Sequence, residues 1–271
     1  MSCRDVVCLI DGEAVDTLDV TDSAILRGDG CFEAIRSYDG SLFRTEDHLD
    51  RLERSAAALG LVPPPREAMR RWMALVIDGR GDCVVRVVLT RGSAVPGVEG
   101  NGRCVVMSHA LSPPLPGLRL LPVVAPWHPA GRPWELAGVK TTSYAPNLGA
   151  SRRAQEAGFD DALLVGDAGT ILEGPTFAVG WCRRGRVFTP SLDLGVLASV
   201  TRRVVLELMA VEEVAVDLGA IAEADEVFAM STLKEVTPVT AVGEVEFAVG
   251  PATRDLAQRV AALARDSVAR Q

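Results

Sequence analysis

Gly138-Val139-Lys140-Thr141-Thr142-Ser143-Tyr144-Ala145-Pro146-Asn147 contains one of only two lysines in a chain with 28 basic residues, the other being Lys234. Apolar Leu136, Ala137 and Val139 precede the amine, and hydroxyl residues follow it. A lysine kept out of water loses its charge more readily, and a neutral amine is what carbonyl chemistry needs. Arginine cannot stand in, because guanidinium neither deprotonates nor forms an imine. Taken alone, the position fits equally well a coding bias that turned lysines into arginines and spared two at random. The surrounding sequence decides between these readings.

Outward from this stretch, the 271 residues are 48% hydrophobic, ample for packed cores, and the length favours two modest domains. A net charge of -8 argues against nucleic-acid and acidic-membrane partners. No apolar run approaches the roughly 20 residues of a membrane span. Met1 to Asp16 carries no basic segment followed by an apolar one, so the expectation is a cytoplasmic protein without a signal peptide. Cys3, Cys8, Cys31, Cys83, Cys104 and Cys182 form no C-x-x-C pair and read as reduced, mostly buried thiols. His48, His109 and His128 are too dispersed to suggest a zinc site, and no metal is expected.

Val6 to Ile10 reads as a strand. Cys31-Phe32-Glu33-Ala34-Ile35-Arg36-Ser37-Tyr38 alternates in period two, and Asp39-Gly40 turns it into Ser41 to Arg44. Thr45 is a candidate cap for a helix that Gly60 stops, with Leu49, Leu52, Ala56 and Leu59 on one face. A second helix over Glu67 to Ile77 and strands at Cys83 to Thr90, Arg103 to Ser108 and Leu118 to Val124 follow. These observations predict an α+β protein with an N-terminal domain over 1–124, a proline- and tryptophan-bearing connection over 125–135, and a larger domain over 136–271. In the last, helices are expected at Ala150 to Ala157, Ala198 to Ala210 and Arg254 to Ala269. Strands are expected at Asp161 to Val165, Thr170 to Leu172, Phe177 to Trp181 and Val187 to Thr189.

Four further elements bear on Lys140. Glu173, at a strand end beside Gly174, is a carboxylate that can keep a heterocyclic nitrogen protonated, although an ordinary turn acid is the commoner case. Gly195 to Arg203 enters a helix, whose first amides lack internal partners and suit a phosphate; a serine cap without a ligand is the plainer reading. Met230 to Val239 makes a hydroxyl-rich turn between two apolar strands. Arg51, three residues after His48 on nearly the same helix face, can fork onto phosphate oxygens, although a solvated helix arginine is the default.

In their order and spacing these pieces resemble the fold-type IV, or class IV, pyridoxal-phosphate aminotransferases, from Arg27-Gly28-Asp29-Gly30-Cys31-Phe32-Glu33 to Glu235-Val236-Thr237-Pro238-Val239. That family includes D-amino-acid and branched-chain aminotransferases and aminodeoxychorismate lyases. The resemblance implies a two-domain fold, a homodimer, and pyridoxal 5'-phosphate held by Lys140 as an imine. It implies phosphate contacts from Arg51, the amides of Val200 and Thr201, and Thr232, with Glu173 paired to the pyridine nitrogen. Substrate carboxylate is expected at Arg36 or Arg86, with Tyr144 also against the substrate. Ala178 stands where the family often has Asn, and Arg91 to Pro96 lacks the Arg-x-His pair of well-known D-amino-acid enzymes. Tyr144 follows Lys140 by four residues, one closer than in typical branched-chain enzymes.

The activity expected from this resemblance is amino transfer between an amino acid and a 2-oxo acid. D-amino acids or R-amines lead and branched-chain L-amino acids follow closely. Aminodeoxychorismate lyase, releasing pyruvate and 4-aminobenzoate, is an alternative with the same cofactor. A non-catalytic carrier of the cofactor, or an interaction protein, is the alternative of another class.

Overall fold

The computed structural model describes residues 6–15, 17–97 and 100–268, so Cys3, Ala269 and the ends of Met1 to Asp16 lie outside the described residues. It falls into two compact units. One comprises Met1–Ser112, Val139–Tyr144 and Ala264–Gln271, the other Pro113–Gly138 and Ala145–Leu263.

The first unit runs β1 (Val7–Ile10), α1 (Ser23–Arg27), β2 (Gly30–Tyr38), β3 (Ser41–Leu42), α2 (Thr45–Leu59), α3 (Arg66–Ile77), β4 (Cys83–Thr90) and β5 (Cys104–Ala110). Its strands are antiparallel in the order β1-β5-β4-β2-β3. The alternation of β2 and β4 sends Cys31, Ile35, Val85 and Val87 onto Leu49, Leu52, Met69 and Met73 of the two helices, all fully buried. Each such leucine contributes about 1.5–3 kcal/mol by leaving water. Strand periodicity then puts Phe32, Ala34 and Arg36 on the opposite face, with Arg86 directly across from Ala34. Thr45 is the first residue of α2 rather than its cap. The preceding Arg44 adopts a left-handed conformation (φ 55°) without a side-chain capping bond, and Glu46 and Asp47 complement the dipole instead.

The second unit contains β6 (Leu118–Val124), α4 (Ala145–Glu156), β7 (Asp161–Val165), β8 (Ala178–Arg183), β9 (Arg186–Pro190), α5 (Val200–Leu208), β10 (Val211–Val214), α6 (Gly219–Ala222), β11 (Glu226–Ser231), β12 (Glu235–Val242), β13 (Val245–Glu246) and most of α7 (Pro251–Val268). The sheet order is β10-β9-β8-β11-β12-β6-β7, with β13 beside β12. Leu118, Leu120, Leu163, Ile171, Val179, Val227 and Val239 form its core.

Two segments depart from the expected boundaries. Leu118–Val124, expected to close the N-terminal domain, pairs in parallel with β12 and β7, because its apolar run suits a strand flanked on both sides. Val139–Tyr144, expected in the C-terminal domain, lies along β2 instead: Phe32 N–H donates to Lys140 O at 3.0 Å and Thr142 N–H to Gly30 O at 2.8 Å. The expected connection is ordered within the second unit, where Ala125 N–H meets Val165 O at 2.9 Å. Thr170 to Leu172, expected as a strand, makes only isolated bridges, Ile171 to Val165 and Thr170 to Asp217. No helix among the described residues is long and apolar enough to cross a membrane.

Candidate active site

In the first unit, Cys31 opposes Thr141, and so Lys140 projects from the same face as Phe32. The Lys140 Nζ lies 4.4 Å from the centre of the Phe32 ring and 5.9 Å from that of Tyr144. These two rings meet edge-to-face at 5.7 Å. The backbone of the lysine is fixed as well, since its N–H donates to Ser55 Oγ at 3.2 Å. Ser55 stands one helical turn after Arg51 on α2, so the lysine strand is tied to the helix face that carries the arginine. Thr142 and Ser143 hydroxyls both donate to Gly28 O, at 2.8 and 2.9 Å. Gly28 has φ 68°, and a Cβ there would stand 2.6 Å from Ser143 Oγ, which explains the glycine.

Arg51 is not a solvated helix arginine: it is buried, and its Nε and Nη2 each reach a different oxygen of Glu33 at 2.7 Å. His48 Nδ1 lies 2.8 Å from the same carboxylate. Burial opposes ionisation of Glu33, but the charge and hydrogen bonds of Arg51, with help from His48, outweigh it and hold its carboxyl at about 2. An ionised carboxylate only accepts, so the proton of a neutral His48 sits on Nδ1. Burial pushes the His48 imidazole down against the pull of Glu33, and the charges of Arg51 and Lys140 add to the fall. Glu33 has no role assigned from the sequence. Its signal was a carboxylate sharing an apolar strand face with Cys31 and Ile35, which demands a partner.

Arg36 and Arg86 share the Phe32 face but differ in distance from it. Arg36 is four residues along β2, roughly 13 Å at strand spacing. It pairs with Asp82 at 3.2 Å and lies over the Tyr38 ring at 4.4 Å. Arg86 opposes Ala34, half as far away, and its Nε donates to His109 Nε2 at 3.2 Å.

In the second unit, both oxygens of Glu173 accept from Leu197 N–H at 3.2 Å, and His128 Nε2 stands 3.5 Å from Oε1. Ala130 N–H donates to His128 Nδ1 at 3.1 Å, so a neutral ring carries its proton on Nε2, facing the carboxylate. Gly195 (φ 79°) turns the chain from a short 3-10 turn, Leu192–Leu194, towards α5; a Cβ would come within 2.5 Å of Pro129. Ser199 caps α5 by accepting from Arg202 N–H at 3.3 Å, while the N–H groups of Val200 and Thr201 in that first turn have no intrahelical acceptor. Thr232 lies in the turn joining β11 to β12, where Ser231 Oγ accepts from Lys234 N–H at 3.1 Å. Lys234 Nζ reaches back to Thr176 Oγ1 at 3.0 Å, three residues after Glu173. Thus the Glu173 segment meets both the 195–201 loop and the 231–235 turn, an arrangement that neither sequence stretch reveals alone.

The pattern of the family Amino-transferase class IV matches residues 30–242. This chain belongs to that family. It is 32% identical over 255 residues to a putative branched-chain-amino-acid aminotransferase of Methanocaldococcus jannaschii, covering 85% of each chain. It is 29% identical to a D-alanine aminotransferase of Bacillus licheniformis, covering 88% of this chain and 89% of that one. The solved fold IV-transaminase of Curtobacterium pusillum is 28% identical, with a TM-score of 0.84 over 93% of this chain and 97% of its own. The two-domain α+β fold is thereby that of the fold-type IV transaminases.

Class IV aminotransferases use pyridoxal 5'-phosphate, and the groups in this aminotransferase suit its parts. In the first unit a primary amine beside two rings suits an aldehyde and a buried guanidinium suits a phosphate; in the second, helix-start amides suit a phosphate and a carboxylate held by a main-chain N–H suits a pyridinium.

Proposed function

We propose that this enzyme moves an amino group between an amino acid and a 2-oxo acid, with D-amino acids or R-amines as preferred donors. The observation that carries the transfer reading is Lys140. Its amine lies among Phe32 and Tyr144, on a backbone bonded to both β2 and α2. The donor preference is supported by the four-residue step from Lys140 to Tyr144 and by the D-alanine aminotransferase likeness. Branched-chain L-amino acids are the second reading, favoured by the Methanocaldococcus relative.

Bound pyridoxal phosphate supplies an electron sink for the substrate α-carbon and stores the amino group between half-reactions. In this reading Lys140 would hold the cofactor covalently, and its amine would move the proton at the substrate α-carbon. Glu173 keeps the ring nitrogen protonated, with Leu197 N–H and His128 fixing the carboxylate. Arg51, Thr232 and the amides of Val200 and Thr201 hold the phosphate, and Glu33 orients the Arg51 fork. Arg86, nearer to Phe32 than Arg36, is the better placed of the two for a substrate carboxylate. The enzyme is proposed to act in the cytoplasm as a homodimer, and sedimentation of the purified protein checks the dimer.

Absorbance changes of the cofactor with a panel of D- and L-donors test the activity. Conversion by D-donors in the first half-reaction, reversed by a 2-oxo acid, is the expected result. Product release from aminodeoxychorismate without an amino acceptor would make it a lyase, and no conversion by any donor would leave a carrier.

A further inference from the structure

The second lysine has no role in the reading above, and its surroundings are unlike those of a surface lysine. Lys234 sits in the tight turn between β11 and β12, where Ser231 pairs with Glu235. The turn is pinned from both sides: Lys234 N–H donates to Ser231 Oγ at 3.1 Å, and Thr237 Oγ1 donates to Lys234 O at 2.7 Å. The side chain is half-buried, with Nζ 5.5 Å from the centre of the Phe177 ring and 3.0 Å from Thr176 Oγ1. Burial pushes its ammonium down, and Asp161 is the acid that pulls it back up. That acid is engaged elsewhere, its Oδ1 accepting from Ser151 Oγ at 2.7 Å and from Ala162 N–H at 2.9 Å. Among the described residues no carboxylate forms an ion pair with Lys234.

A partly desolvated cation with no carboxylate in ion-pair contact gains when an anion arrives to meet it. Its position says which anion. The turn holds Thr232 two residues before Lys234, and Thr176 follows Glu173 by three, so the ammonium bridges two segments assigned to the cofactor. Thr176 is exposed, which leaves the pair reachable from solution. Because Thr176 Oγ1 already accepts from the ammonium, its own proton can be donated outward. The ammonium likewise has three protons and uses one on Thr176. Two donors thus stand side by side, one charged and one neutral, which matches the two oxygens of a carboxylate.

We propose that Lys234 and Thr176 form a clamp for a substrate carboxylate, making Lys234 a determinant of substrate binding. This rests on the transaminase reading. The carboxylate is either the one on the reacting carbon or the distal one of a dicarboxylic substrate.

Calorimetric titration of the holoenzyme with butyrate, glutarate and butyramide, none of which needs turnover, tests the clamp. Lys234→Gln keeps a donor for Thr176 while removing the charge. It is expected to weaken carboxylate binding roughly ten- to a hundred-fold, leave butyramide unchanged, and raise KM for an amino acid more than it lowers kcat. Lys234→Arg should recover most of the loss, and Thr176→Val should show a smaller one. Loss of both butyrate and glutarate assigns the clamp to the carboxylate at the reacting carbon; loss of glutarate alone assigns it to a distal one. Unchanged titrations in Lys234→Gln, or no carboxylate binding by the wild type, overturn the inference. Should Lys234→Gln fail to fold, unchanged carboxylate binding by Thr176→Val together with wild-type KM does so. Carboxylate binding that depends on Lys234, in a protein that converts no donor, would instead defeat the transaminase reading and leave the clamp standing.

Discussion

Glu33 on β2 and Arg51 on α2 meet through two parallel hydrogen bonds of 2.7 Å, with the carboxylate side chain only 1% exposed. The pair joins strand to helix in the core of the first unit, and it also fixes the arginine proposed to hold phosphate. Removing one partner therefore has two separable consequences.

Arg51→Ala should lose cofactor affinity by roughly ten- to a hundred-fold, the worth of a charge-assisted phosphate contact. It should also lose about 3–5 kcal/mol of stability, because Glu33 is left buried and unpaired. The double variant Glu33→Gln/Arg51→Met should regain much of that stability without regaining cofactor. Denaturant melts beside cofactor titrations check both effects. Full cofactor affinity in the double variant would remove Arg51 from the phosphate site.

The same pair predicts an acid limit. The Glu33 carboxyl falls from 4.5 to about 2 in the fold, so its contribution is complete above 4.5 and is lost as pH drops towards 2. The shift corresponds to stability on the order of 3 kcal/mol. His48, lowered from 6.5, acts in the same direction: below that pH the unfolded chain takes up a proton that the folded imidazole resists. Unfolding free energies measured from pH 7 to 2 should show the wild type losing its margin over the double variant below pH 4.5. A margin that stays constant across that range would contradict the ionised pair.

Lys140 should carry the cofactor, and borohydride reduction with peptide mapping should find the pyridoxyl group there. The structure makes the comparison with Lys234 a demanding one, because burial lowers the ammonium of that lysine. Label on Lys234 would reverse the roles assigned to the two amines.

Glu173→Gln should fold and bind cofactor yet lose most transamination. One amide oxygen can still accept from both Leu197 N–H and His128, so the local contacts survive. What is lost is the negative charge that favours a protonated ring nitrogen, and the cost should fall on α-proton removal rather than on substrate binding. Stopped-flow half-reactions separate these steps. Wild-type proton transfer in the variant would reduce Glu173 to a turn residue.

Sequence by itself determined most of the elements and the family. The alternation of Cys31 to Tyr38 and the helical spacing of Leu49, Leu52 and Ala56 are local patterns, and they became β2 and α2 because burial of one face is a local requirement. The singular lysine pair and the order of motifs around it point to the class IV aminotransferases without any knowledge of contacts. Tertiary structure alone decided the rest. Leu118–Val124 joined the second unit because parallel pairing with β12 and β7 depends on strands distant in the chain. Val139–Tyr144 joined the first through bonds to residues more than a hundred positions earlier. Glu33 as the partner of Arg51, His128 as the partner of Glu173, and Thr176 beside Lys234 share one cause. A buried charge chooses its partner by proximity in space, and no spacing in the sequence encodes that.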